Sequence, residues 1–190
     1  MTNRARKTAN PETAARRGAS DPRGSGGGPG DPGDPRAFRD ALGCFSTGVT
    51  VITAMGGDGA RIGLTANSFS SVSLNPPLVL WSLAQYSPNL AVFQNASHFA
   101  INVLGVDQAD VAMQFAKPVE DRFRGIATET GLGGAPLIRD AVARFQCRNE
   151  DRYYGGDHVI FLGAVEAYDT QAREPLVFCG GAFGSFAKSV

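Results

Sequence analysis

The chain predicts a mainly β (α+β) domain, an antiparallel barrel with a few helices packed on its outside. Three observations carry that expectation. About seven short segments are rich in β-branched and aromatic residues and have strand character. Most of them are joined by links short enough for hairpins, which serve antiparallel neighbours. The three helical segments do not alternate with the strands, which argues against a doubly wound parallel sheet.

Taken in order, residues 35–45 put Phe38, Ala41, Leu42 and Phe45 on one helical face, and Ser46-Thr47-Gly48 ends that helix. Residues 49–54 form a β-branched strand, and Gly56-Gly57-Asp58-Gly59 is a hairpin turn. The return strand runs from Arg61 to about Phe69, and residues 63–74 can be read as one continuous strand. Pro76-Pro77 breaks the chain before a buried strand at 78–83. Ser87 is placed to cap a short helix, with Pro88 in its first turn. Residues 98–104 alternate as a strand with Phe99, Ile101 and Val103 on one side. Residues 107–115 read as a helix capped by Asp107, and 121–134 as a loop. Three further strands are expected at 141–147, 158–165 and 175–178. There is no internal repeat.

A length of 190 residues suits one domain. Residues 1–36 stand apart: they hold seven Gly and five Pro, and alanines are their only apolar residues besides Met1. Such a segment buries too little surface to offset its ordering entropy and is expected to be disordered. Residues 37–190 are expected to form the single folded domain. The first part carries a net charge of +3, too weak and scattered for a nucleic-acid arm, and the second −3, a poor match for a polyanion, so no nucleic-acid role follows. No apolar run is long enough to span a membrane, and no signal-peptide core is present. Cys44, Cys147 and Cys179 are widely spaced and lack a CxxC pattern, so buried reduced thiols and a cytoplasmic location are expected.

The common catalytic motifs are missing. There is no P-loop and no GxSxG elbow, and the glycine string at 24–28 follows no strand. His98 and His158 are the only histidines; neither has a supporting motif for a hydrolase triad, and two alone do not make a zinc site. One stretch stands out instead. Thr65, Asn67, Ser68, Ser70, Ser71 and Ser73 place small hydrogen-bonding groups on both faces of a segment that leads into the core. Such groups need partners when buried. Either they lie on a solvent-facing strand end, or they cradle a flat polar ligand or a phosphate.

The segments at 47–53, 63–79, 99–104, 156–165 and 175–178 occur in an order and at a spacing that resembles the flavin reductase-like family, the small reductase components of two-component flavin monooxygenases. The resemblance covers about residues 37–186. It implies the FMN-binding split barrel, an antiparallel Greek-key barrel, usually as a homodimer. It implies reduction of FMN, or of FAD, by NADH or NADPH, with the reduced flavin leaving for a flavin-dependent oxygenase or halogenase. It further implies that Thr65, Ala66, Asn67 and Ser68 line the isoalloxazine. Ser82, Leu83, Gln85 and Ser87 would lie near the ribityl chain and phosphate, His158 near the nicotinamide, and Phe183 over the site. Three positions depart from the family pattern: Asn75 replaces an Asp, Gln85 replaces a cation, and Phe183 stands where Tyr is as common. No acid–base triad is required, because the flavin and the nicotinamide supply the chemistry. The alternatives are a non-catalytic flavin- or haem-binding split barrel, and an interaction protein that docks an oxygenase.

Overall fold

The computed structural model describes residues 30–187. Residues 1–29, most of the expected tail, lie outside the described residues. Helix α1 (Pro35–Gly43) is capped by Asp34, whose carboxylate accepts the N–H groups of Arg36 and Ala37 at 2.9 and 3.1 Å. The expected boundary at 36/37 therefore falls inside a helix. Its apolar face is not core: Phe38, Leu42 and Phe45 are 51, 59 and 78% exposed.

After β1 (Thr47–Gly48), strands β2 (Thr50–Met55) and β3 (Arg61–Ala66) form the expected hairpin. Strands β4 (Ser70–Leu74) and β5 (Pro77–Ala84) form a second one. Then come α2 (Leu90–Asn95), β6 (His98–Val103), a 3₁₀ turn (Val106–Gln108) and α3 (Ala109–Ala116). A small hairpin of β7 (Thr128–Thr130) and β8 (Pro136–Ile138) interrupts the segment expected to be a loop. Two thirteen-residue strands follow, β9 (Ala143–Gly155) and β10 (His158–Thr170), and then β11 (Leu176–Cys179) and β12 (Ala182–Ser185).

The main sheet has the order β3-β2-β6-β9-β10-β5-β4, with antiparallel pairing throughout. β3 and β4 follow one another in the chain yet occupy opposite edges. Residues 67–69 join them, so the sheet curls on itself and stays open between its edge strands. A continuous strand over 63–74 is thus corrected. The chain leaves β3 at Asn67 because it must cross to the other edge. There the Ser68 hydroxyl replaces a strand partner: it accepts the N–H of Ser82 at 2.9 Å and donates to the Ser82 carbonyl at 3.1 Å.

Two apolar clusters hold this arrangement. Inside the barrel Trp81 stacks on Phe161 at 4.7 Å, and Phe93 and Phe99 meet it edge-on. Gly163 is needed beside them, since an added Cβ would lie 2.5 Å from the Phe99 ring. The second cluster joins Val49, Val51, Leu104, Phe115, Ile138 and Leu176. β2 contributes to both, Ile52 to the first and Val51 to the second. Burial on both faces explains its unbroken apolar run. Buried Asn102 ties the β8 hairpin to the sheet: it donates to Val51 O at 3.0 Å and accepts Ile138 N–H at 2.8 Å.

Several local expectations change. Asn89, not Ser87, occupies the N-cap of α2; the Ser87 hydroxyl accepts the Asn89 N–H at 3.3 Å. Asp107 lies in the 3₁₀ turn, where Arg173 binds its carboxylate and holds it below the usual carboxylate range. Gln108 takes the local capping role, accepting the Gly105 N–H at 2.9 Å. Of the cysteines only Cys147 is buried, and burial pushes its thiol up to about 12; Cys44 and Cys179 are exposed. Among the described residues no helix is long and apolar enough to cross a membrane, and no cluster of His, Cys, Asp and Glu could hold a metal.

Candidate functional site

Successive residues of a strand point to opposite faces, so register decides which side chains meet. In β5 and β10, Ala84 lies opposite His158 and Ser82 opposite Ile160. In β9, Gly155 lies opposite His158 and Tyr153 opposite Ile160. Ser82, Ala84, Ile160, His158 and Tyr153 therefore share the outer face. Trp81, Leu83, Val159 and Phe161 share the inner face and are buried.

His158 is held on one side of its ring. Its Nδ1 lies 2.7 Å from Asp157 Oδ1, and this contact holds the Asp157 carboxyl below the usual range. The ring is 46% exposed, and its Nε2 has no partner among the described residues. The turn that carries it needs glycine at Gly156, where φ is +64°. Gln85 clasps that turn to the end of β5: its N–H donates to Asp157 O at 2.9 Å and its Nε2 to Gly156 O at 2.7 Å. Gln85 is thus a support for the His158 turn, and its amide N–H is taken.

The open edge lies beside this face. The backbone N–H groups of Asn67, Ser68 and Phe69 have no partner among the described residues, because the chain there belongs to neither β3 nor β4. Asn67 is exposed, and Ser68 bridges to Ser82 as described. The hydroxyl of Thr65 is committed to Ala112 O at 2.6 Å, and the Ala66 carbonyl accepts the Thr50 hydroxyl at 2.7 Å. Leu83 sends its side chain into the inner core, so only its backbone faces the edge. Ser87, part-buried, lies just beyond this face. Phe183 is not gathered with the others: it meets Phe178 edge-on at 5.7 Å against the second core cluster.

Tyr153 and two arginines join the site without a local signal in the sequence. Tyr153 is 54% exposed on the His158 face, and a bond to Asp151 raises its phenol above the usual range. Nothing in a polar stretch such as residues 148–155 signals a strand, and register alone reveals the neighbour. Beyond Ser87 a groove of about 370 Å³ is lined by Arg61, Gly63, Pro88, Asn89, Arg122 and Phe123. Arg61 lies 4.7 Å from the centre of the Phe123 ring. Arg122 donates to Gly63 O at 3.0 Å. The β3 edge and residues 82–89 thus track each other from Ser68 and Ser82 to Arg61 and Asn89. At strand spacing that distance is on the order of 23 Å.

A curled antiparallel sheet left open between consecutive edge strands, with a polar face beside the opening, defines the split-barrel class. The chain belongs to the flavin reductase family: residues 42–187 match the model described as "Flavin reductase like domain". It is 46% identical over 153 residues to "FMN reductase (NADH) SmoA" of Agrobacterium fabrum, covering 80% of this chain and 87% of that one. It is 44% identical over 154 residues to "Flavin-dependent trigonelline monooxygenase, reductase component" of Acinetobacter baylyi, covering 81% of this chain and 50% of that one. The Streptomyces globisporus NADH:FAD oxidoreductase SgcE6, solved with NAD and FAD fragments, superposes with a TM-score of 0.79 at 42% identity, covering 83% of this chain and 95% of that one. The chain spans about half the length of some curated relatives it matches, 48 and 50% of two of them.

Proposed function

We propose that this protein is an NAD(P)H-dependent flavin reductase that reduces FMN, or FAD, and releases it to a partner monooxygenase or halogenase. The observation that carries the reading is the shared outer face: His158, Ser82 and the unpaired N–H groups of residues 67–69 meet at the open edge of the barrel. The donor set fits a flavin. The ring's pyrimidine edge presents carbonyls, and the unpaired N–H groups are the donors such an edge needs. Ser82 keeps the face flat enough for a ring, Ile160 offers the flavin apolar surface, and Tyr153 offers it to the nicotinamide. Arg61 and Arg122 supply, in the adjoining groove, the cations that position 85 lacks for a phosphate.

A bound flavin would supply the hydride-accepting chemistry. The protein's own part is positioning. Asp157 fixes the His158 ring, leaving Nε2 to bond a nicotinamide carboxamide. Gln85 holds the turn that carries both. The face is an open surface rather than an enclosed cavity, which suits a flavin that enters and leaves as a substrate. Relatives named for NADH support that donor, and relatives named as reductase components, one of them of a tryptophan halogenase, support an oxygenase partner.

Residues 37–190 would act as one catalytic unit in the cytoplasm. A homodimer is proposed over the groove of about 450 Å³ beside β4, where Phe69, Leu74, Leu78, Phe145 and Tyr168 form apolar walls. Leu74 there is 94% exposed, and burying such area is favourable. The test of function is oxidation of NADH and NADPH, followed by nicotinamide absorbance, with no flavin, FMN or FAD added. Oxidation that depends on added flavin is expected. Flavin binding without oxidation of either nucleotide would refute the reading.

A further inference from the structure

We propose that Cys44 and Cys179 form a reversible intramolecular disulfide when the protein meets hydrogen peroxide. Cys44 is the residue that follows α1, and Cys179 ends β11. The Gly180 N–H donates to the Gly43 carbonyl at 2.8 Å, and Cys179 Sγ lies 3.8 Å from the same oxygen. Each cysteine is thus the direct chain neighbour of one partner in a single backbone hydrogen bond. Peptide dimensions then hold the two Cα atoms within about 8 Å, a range that includes disulfide spacing. Disulfides span about 4.4–6.8 Å between Cα atoms. The two segments are in contact: an added Cβ at Gly43 would lie 3.7 Å from Gly180 Cα, an ordinary van der Waals distance.

Both thiols are exposed, whereas the third, Cys147, is buried and kept protonated by its surroundings. Oxidation would therefore select the pair. One thiolate attacks peroxide, breaking the O–O bond and releasing hydroxide, and becomes a sulfenic acid. The second thiol's sulfur attacks the sulfenic sulfur, expelling the oxygen as water. In sum, two thiols and one peroxide give one disulfide and two waters. Peroxide is also what reduced flavin yields with dioxygen, so an uncoupled reductase would make its own oxidant. The bond itself does not rest on that reading, because peroxide can be added directly. Its structural effect is to pin α1, which buries none of its residues, to the β11–β12 hairpin.

The test treats the reduced full chain with one equivalent of hydrogen peroxide and then alkylates it under denaturing, non-reducing conditions. Labelled thiols should fall from three to one, with a mass lower by two hydrogens before alkylation and a linked peptide pair containing Cys44 and Cys179. Dithiothreitol should restore all three. Cys147→Ala should give the same link, and Cys44→Ala should give none. Three labelled thiols, a link through Cys147, disulfide-bonded pairs of chains, or oxygen added to unpaired cysteines would each overturn the proposal.

Discussion

The inner and outer faces of β5, β10 and β9 are built from alternate residues of the same strands and do different work. Inward, Trp81, Leu83, Val159 and Phe161 are almost fully buried, and their rings stack or meet edge-on. Outward, Ser82, His158 and Tyr153 remain open beside a backbone edge that has unpaired donors. The rigid face fixes the register, and register is what assembles the open one. Stability and ligand binding should therefore separate cleanly by residue parity along these strands.

The largest expected effect lies inside. Phe161→Ala removes a ring stacked on Trp81 and should destabilise the fold by about 3–5 kcal/mol in chemical denaturation, leaving the nucleotide KM of the folded fraction unchanged. A parallel loss of nucleotide affinity would break the separation. Ser68→Ala comes next, since it leaves the Ser82 N–H and carbonyl without their partner. A cost of about 1–2 kcal/mol is expected, together with weaker flavin binding. An effect on only one of the two would detach the clip from the site.

Outside, His158→Ala should raise the KM for NADH about tenfold, roughly 1.4 kcal/mol, and Tyr153→Ala by a smaller factor, both at unchanged flavin affinity. A rise in the flavin dissociation constant with either would shift the nicotinamide surface elsewhere.

The smallest effect is a pH slope. The Cys147 thiol is raised from an ordinary 9.0 to about 12 by burial, so the folded state keeps a proton that the unfolded state loses first. Its contribution is complete below pH 9 and is lost as pH rises towards 12. Stability measured across that window should fall less steeply in Cys147→Ala than in wild type.

Legibility in the sequence followed the same division. Apolar, β-branched segments such as 49–54, 78–83 and 158–165 announced their strands because burial dictates their composition. The polar half of β9 was silent, since residues 148–155 form an exposed ribbon with no apolar period to see. Residues 67–69 misled for another reason: small hydroxyl residues suit either a strand or a crossing, and only sheet order distinguishes the two. Asn67 and Ser68 stand out by composition, Ser82, Gln85 and His158 through family resemblance, and the structure draws all five to one end of β5. Phe183 was marked likewise, but pairing with β11 places it against Phe178. Arg61 and Arg122 come from distant parts of the chain, and no local pattern links them.

The central claim is that the outer face beside the open edge carries the flavin. FMN titration against wild type and Ser82→Leu, with unfolding midpoints measured alongside, tests it most directly. A dissociation constant raised at least about tenfold at an unchanged midpoint is predicted, because the added side chain occupies the ring's surface without touching the core. Equal affinity in the two proteins would contradict the claim and move the flavin off this face.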